Sequence, residues 1–300
     1  MKKYLAACAL VAQGFLHVPV QAQTLEKIKA SGAVTMGVRD SSIPLSYAGA
    51  DGAPIGFHVD ICRKVLEDVQ AQLGLARLET RYQLVTSQNR IPLVANGTID
   101  IECGSTTNTQ ARQKEVAFAL TTYVEEVRLA VRADSGIRSV RDLAGKVVVA
   151  TTGTTSVQHL RRKVRELGLE LKDVSLGKDH ADSFLLLESG RADAWVLDQG
   201  VLRASIANAR QSSAFSVVGE VLNAEPIAIM VRKDDPGFKR AVDVTIRKLL
   251  ASGEMQVLWK KWFQAPIPPR GVALDMAPPE SLQRLWAHPS DLPMETFQAP

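Results

Sequence analysis

The sequence is sparing with the residues that would announce several common kinds of chemistry. Its 300 residues hold three cysteines and five histidines. No Cys-x-x-Cys pair occurs and the histidines lack the spacing of zinc ligands, so neither a structural nor a catalytic zinc site is expected. A GxSxG elbow, an HExxH pair and a GxGxxG turn are also missing, and "TTGTTS" (Thr151 to Ser156) lacks the lysine and spacing of a phosphate loop. A Ser105/His180/Asp198 triad can be drawn, but nothing places the serine on a strained turn. No Lys/Arg-rich tract is present and the formal net charge is only +4, which gives a nucleic acid little to hold. Beyond the N-terminal segment no apolar run reaches the ~18 to 20 residues of a membrane span, so direct insertion in a membrane is not expected.

What is present suffices for a substantial core. The chain is 46% apolar and 23% charged, which excludes disordered and collagen-like classes and allows one large or two moderate domains. Its start reads as a secretory signal over residues 1–22: Lys2 and Lys3, an apolar stretch from Tyr4 to Val20, and small residues in "VQA" before Gln23. "LAAC" (Leu5 to Cys8) imitates a lipoprotein box, but too little chain precedes it for an apolar targeting segment, so lipid attachment is not expected. Loss of the signal removes two lysines and leaves a mild charge of +2. Cys62 and Cys103 remain. Cys62 shares the apolar face of a predicted helix with Val59, Val65, Leu66 and Val69, where a buried thiol is the expectation, although an oxidising compartment leaves pairing with Cys103 open.

Short β-branched segments alternate with segments of helical period, the pattern of a parallel α/β architecture. One series runs from "VTMGV" (Val34 to Val38) to "TIDIEC", and a second from "KVVVA" (Lys146 to Ala150) to "DAWVLD". Two extended stretches, "TTYVEEVRLAVRAD" and "AEPIAIMVRKDD", follow the first and second series. The order suggests two lobes joined by two crossovers, each lobe a mainly parallel sheet flanked by helices, with a cleft between them. Residues 23–122 and 224–300 are assigned to lobe 1 and 123–223 to lobe 2. The proline-rich tail from Pro266 is expected to pack on the surface or hang free.

In open parallel sheets, ligands bind beyond the carboxyl ends of the strands, where the loops meet the positive ends of helices. Here those loops read "RDSS", "TSQNR", "CGSTTN", "TTGTTS" and "GKDHADS", with Asp198 closing the sixth strand. Any one of them would be a solvated turn or a helix cap on its own. Together they collect hydroxyls, a histidine, an aspartate and Arg39, Arg90 and, one turn further, Arg112. Three guanidiniums suit carboxylates, and one acid suits a cation, so a small molecule with two carboxylates and one ammonium is the expected ligand.

The residues "SGAVTMGVRDSSIPLSY", "TSQNRIPL", "NGTIDIECGSTTNTQARQ", "TTGTTS", "KDHADSF" and "ESGRADAWVLD" resemble the glutamate/aspartate-binding branch of the periplasmic solute-binding proteins that serve polar amino-acid ABC transporters. The likeness runs from about Leu25 to Pro269. It implies a two-lobed type II binding-protein fold that closes on glutamate or aspartate and presents it to a membrane permease. It further implies a periplasmic, monomeric protein that is not an enzyme and has no cofactor. By the same resemblance, Arg112, Thr107, Thr152 and Thr155 would hold the α-carboxylate, and Ser105 and Asp198 the α-ammonium. Arg39, Ser87, Arg90 and His180 would hold the side-chain carboxylate. Relatives sharing "ECGSTT" often carry a second cysteine at the position of Ile229, so the disulfide that it makes is absent here unless Cys62 substitutes. Two alternatives use the same fold: an exported dehydratase-like enzyme, with Glu102 or His180 as acid or base, or a sensor domain for a dicarboxylate or amino acid.

Overall fold

The computed structural model describes residues 24–297, and the expected signal peptide lies outside them. The chain opens with α1 (Thr24–Ser31) and β1 (Ala33–Val38). β1 is buried along nearly all its length, as a run of small and β-branched residues should be in a central parallel strand. A small antiparallel sheet of β2 (Ser41–Ser42), β3 (Ser46–Ala48) and β4 (Pro54–Ile55) follows. Next come α2 (Phe57–Gln72), β5 (Glu79–Leu84), α3 (Arg90–Ala95), β6 (Ile101–Glu102), α4 (Gln110–Gln113) and β7 (Val116–Phe118). The second series consists of β8 (Tyr123–Arg132), β9 (Val147–Thr151), α5 (Ser156–Glu166), β10 (Asp173–Gly177), α6 (His180–Glu188), β11 (Ala194–Asp198), α7 (Gln199–Ala207) and β12 (Phe215–Ile227). β13 (Met230–Arg232), α8 (Pro236–Ser252), α9 (Glu254–Trp259) and, in the tail, α10 (Glu280–Ala287) complete it.

Two five-stranded sheets result, ordered β5-β1-β6-β13-β7 and β10-β9-β11-β8-β12. Three parallel strands form the heart of each, and the antiparallel strands are the crossovers and the returning strand. The two lobes are thus legible in the ladders. β13 follows β12 in the chain but pairs with β6 and β7 in the first sheet, which is why the extended stretch after the second series belongs to both lobes.

The hinge is a single two-stranded ribbon. Tyr123 to Val127 of β8 pairs antiparallel with Asn223 to Ile227 of β12. Its lower end is fixed: the Tyr123 ring packs 5.4 Å from Trp259 and 5.2 Å from Phe263 between centroids, and those two rings stack at 3.9 Å. The tail packs behind the same place rather than hanging free. Trp286 Nε1 donates to the Thr122 carbonyl at 3.1 Å, and the Thr121 amide donates to the Ser290 carbonyl at 2.9 Å.

The buried-thiol expectation for Cys62 is corrected by the structure. Cys62 and Cys103 form a disulfide, with Cα atoms 6.3 Å apart and both residues fully buried. The apolar face of α2 is the one helical period predicts, but that face lies against the end of β6, which brings the second sulfur within reach. Ile229 is simply a buried side chain of the same core.

Candidate functional site

The loop after β5 shows how local sequence aims side chains into the cleft. The Thr86 amide donates to Asn89 Oδ1 at 2.8 Å while the Asn89 amide donates to Thr86 Oγ1 at 3.2 Å, a reciprocal lock before α3. Gln88 and Asn89 are left exposed, and Ser87 and Arg90 are turned inward and buried. Arg39, just past β1, meets them: Nη2 donates to Ser87 Oγ at 2.8 Å and Nη1 to Ser105 Oγ at 3.3 Å. Ser105 Oγ donates to Ser42 Oγ at 3.2 Å, and the Ser105 carbonyl accepts from Arg90 Nη1 at 2.9 Å. The Nε groups of Arg39 and Arg90 are buried and have no hydrogen-bond partner among the described residues. Burial, and then the Arg90 charge, pull the Arg39 guanidinium down to about 10, and burial lowers Arg90 as well. Both remain cations at neutral pH.

Arg112 lies in α4, whose N-cap Thr109 accepts from the Arg112 amide at 3.1 Å. Its Nη1 donates to the Thr107 carbonyl at 2.8 Å and its Nη2 crosses to the second lobe, donating to the Gly153 carbonyl at 3.2 Å. Gly153 has φ +81 and sits against backbone of the first lobe, so that a Cβ built there would lie 2.7 Å from the Ser87 carbonyl oxygen. The two lobes therefore touch main chain to main chain at the mouth of the site.

From the second lobe, Thr155 is the N-cap of α5 and His180 is the first residue of α6. His180 is buried, with Nδ1 3.0 Å from Thr151 Oγ1 and Nε2 without a partner among the described residues. Burial, with Arg39 and Arg90 facing it, drives its pKa well below the ordinary value, so the ring is neutral. Asp198 ends β11 and precedes α7, nine-tenths buried, and its carboxylate does not cap the helix. Burial and the neighbouring Glu225 raise it to about 7, against the pull of Arg90, Arg112 and Arg39. Thr152 is half-buried beside Gly153, and no hydrogen bond ties its side chain to the other predicted residues among those described.

The hydroxyls of Thr107 and Thr155 are differently placed from the sequence expectation. Both donate to Glu225 Oε2, at 2.6 and 2.9 Å, and lie 3.4 Å from each other. A hydroxyl has one proton, so in this arrangement neither offers a donor to a ligand. The backbone amides that open α5, which have no intrahelical acceptor, are the donors left at this pole. Glu225, Glu125 and His58 are the residues missed. They lie inside the two extended stretches and on α2, not at strand ends. His58 supports the Gly104 carbonyl with Nδ1 and meets Thr122 Oγ1 with Nε2 at 2.7 Å, and burial lowers it to about 4. The dipeptide Gly56-Phe57 before it gives no hint of that task.

Among the described residues, no group of three or more histidine, cysteine, aspartate or glutamate side chains is arranged to hold a metal, and no helix is long and apolar enough to cross a membrane.

Residues 34–265 match the model of the bacterial extracellular solute-binding proteins, family 3. The chain is 44% identical to the L-glutamate/L-aspartate-binding protein of Pseudomonas aeruginosa, over 96% of each chain. It is 38% identical to the glutamate/aspartate import solute-binding protein of Escherichia coli, over 96% of this chain and 95% of the relative. Among solved structures, ArgBP from T. maritima superposes with a TM-score of 0.70 at 29% identity, over 80% of this chain and 99% of that one. A substrate-binding protein of an ABC uptake transporter from Streptococcus pneumoniae reaches 0.73 at 21% identity, covering 81% and 96%, a likeness of fold alone. The two sheets, the ribbon hinge and the matched span together place the chain in one group: it belongs to the bacterial extracellular solute-binding proteins of family 3.

Proposed function

We propose that this protein captures glutamate or aspartate between its lobes and hands it to the permease of an ABC transporter. The observation that carries the reading is the set of three guanidiniums, two of them buried with unpartnered Nε groups, gathered around the buried Asp198 carboxylate. A zwitterionic ligand with one extra carboxylate matches that set group for group. Arg39, Ser87, Arg90 and His180 read the distal carboxylate. Ser87 accepts from Arg39 and keeps its own proton to donate. The Ser183 hydroxyl lies 2.9 Å from the Asp179 carbonyl, so a proton on His180 Nε2 requires Ser183 to donate to Thr151 instead, with Thr151 donating to Nδ1. Arg112, the amides of Thr107 and Thr155 and the Thr152 hydroxyl hold the α-carboxylate, the Thr152 amide being given to the Gly177 carbonyl at 2.9 Å, and Asp198 and Ser105 hold the α-ammonium.

The named activities of the P. aeruginosa and E. coli relatives, binding and import of the same two amino acids, support this reading, and neither is an enzyme. We place the lobe boundaries at 23–122 with 224–300 and at 123–223, which puts Thr107 and Thr155 on opposite sides of the cleft. A cleaved signal at 1–22, a periplasmic location and a monomeric state complete the proposal.

A thermal-shift panel of the twenty amino acids and common dicarboxylates tests the ligand class: stabilisation should be confined to glutamate and aspartate. Calorimetry on Arg90→Ala tests the assignment. Loss of a buried charged partner should weaken glutamate by roughly 100-fold or more, and unchanged affinity would remove Arg90 from the distal pole.

A further inference from the structure

We infer that Glu225, a residue of the hinge rather than of the cleft wall, is the positioning residue that fixes the α-carboxylate pole and couples it to lobe closure. The inference rests on the ligand reading above. Glu225 lies on β12 and is fully buried. Its carboxylate makes three short contacts: Oε2 accepts from Thr107 Oγ1 at 2.6 Å and from Thr155 Oγ1 at 2.9 Å, and Oε1 meets His159 Nε2 at 2.6 Å. Thr107 belongs to the first-lobe loop that also bridges to Ile227, whereas Thr155 and His159 are the N-cap and a first-turn residue of α5 in the second lobe. One carboxylate on the hinge thus holds one element of each lobe.

The contacts close a ring through both lobes. From Glu225 it passes to Thr107, whose carbonyl accepts from Arg112, then across to the Gly153 carbonyl, along the turn to Thr155, and back to Glu225. Arg112 and the opening amides of α5, the donors of the α-carboxylate pole, are members of or neighbours to that ring. If the lobes part, the ring must break, at Arg112–Gly153 or at one of the two threonine contacts of Glu225, so closing the lobes completes the ring that aims the donors. The opposing residue completes the picture. Glu125 on β8 is the register partner of Glu225, and it accepts from the Gly200 amide at 2.9 Å, in the first turn of α7 behind Asp198. Facing residues of the ribbon therefore brace the two groups that meet the ammonium and carboxylate of the ligand's α-carbon.

The test uses Glu225→Gln, which preserves shape but replaces one acceptor oxygen by an amide nitrogen that cannot accept from a threonine hydroxyl. Two readouts are taken: glutamate affinity by calorimetry, and the closed fraction without ligand, from energy transfer between dyes on the two lobes. Glu225→Gln should lose affinity by about tenfold or more and lower the ligand-free closed fraction. Thr155→Val removes one hydroxyl while leaving the His159 contact, so it keeps the test open if the glutamine variant folds poorly, and should lose several-fold. The double variant should lose less than the product of the two losses, because both act through one contact. Wild-type affinity and closure in Glu225→Gln, or strict multiplicativity in the double variant, overturns the clasp. The ligand-free measurement separates this outcome from a wrong ligand: if wild type binds no acidic amino acid yet the variant still opens, the ligand reading fails and the clasp stands.

Discussion

Gly153→Ala is the most economical probe of whether the lobes close as observed. The new methyl would lie 2.7 Å from the Ser87 carbonyl oxygen and 2.8 Å from the Cα and N of Gln88, all backbone atoms of the opposite lobe with no freedom to swing away. Ordinary contact begins near 3.4 Å, so the lobes would have to stand off by about 0.7 Å at this point. The Arg112 to Gly153 hydrogen bond is already 3.2 Å long and would pass out of range. Losing one charged hydrogen bond at roughly 1.5 to 3 kcal/mol implies an affinity loss of about 10- to 150-fold. The substitution also carries a local cost, since φ is +81, of about 1 to 2 kcal/mol for any residue with a Cβ. Gly190→Ala separates the two effects. Gly190 also lies in the second series, has φ +74, and has nothing within 4 Å of the added Cβ, so it should destabilise similarly and leave affinity unchanged. Calorimetry with glutamate, alongside small-angle scattering with saturating ligand, measures both. Equal affinities for the two variants would refute the close approach of Gly153 to Ser87 in the bound form.

The pH dependence of binding should follow Asp198, whose carboxyl burial and Glu225 raise to about 7 and which must be ionised to pair with an ammonium. Affinity should fall as pH drops through 7, tending to about tenfold per unit below it. Burial holds His180 well below its ordinary value and, with the Asp198 charge, Glu125 well above its own, and a flat calorimetric profile from pH 8 to 5.5 would contradict the assignment to Asp198. Removing the disulfide in Cys62→Ala/Cys103→Ala releases a loop with sequence separation 41. Loop entropy then predicts a loss of about 4 kcal/mol. The midpoint should fall by roughly 8 to 16 °C in scanning calorimetry, and an unchanged midpoint would mean that the crosslink constrains little.

The strand-end loops were legible because chain topology alone dictates that they converge. A strand that runs parallel to its neighbours must end at the same edge of the sheet, so Arg39, Ser87, Ser105, Thr155, His180 and Asp198 could be collected without coordinates. Glu225 could not. It stands in the middle of an extended stretch, and its partners Thr107, Thr155 and His159 are 118, 70 and 66 residues away. The bulge between Val218 and Asn223 sets which face it presents, and no alternation in the sequence announces a bulge. The threonines were found for the same topological reason as the arginines, but the direction of a hydroxyl proton depends on a carboxylate that topology does not reveal. Cys62 to Cys103 fails similarly: helical period gives the buried face, while the neighbour against that face is a tertiary fact.

These missed acids change the electrostatic reading of the site. The residues at strand ends alone carry three positive charges against Asp198, a surplus that would draw any anion. Glu102 and Glu225 are fully buried close enough to act on the Arg90 and Arg112 guanidiniums, and both favour the charged form of each. With them counted, the cations are nearly balanced before a ligand enters, which is how three guanidiniums can be kept together in a closed interior at all. Selection of an acidic amino acid then cannot rest on net charge. It rests on direction: at the distal pole the unpartnered Nε groups of Arg39 and Arg90 are donors and the Ser87 proton is free, whereas Glu225 withdraws the threonine protons of the other pole. An amide in place of the distal carboxylate would turn N–H toward guanidinium, leaving buried donors facing each other, a penalty that does not depend on the overall charge of the ligand.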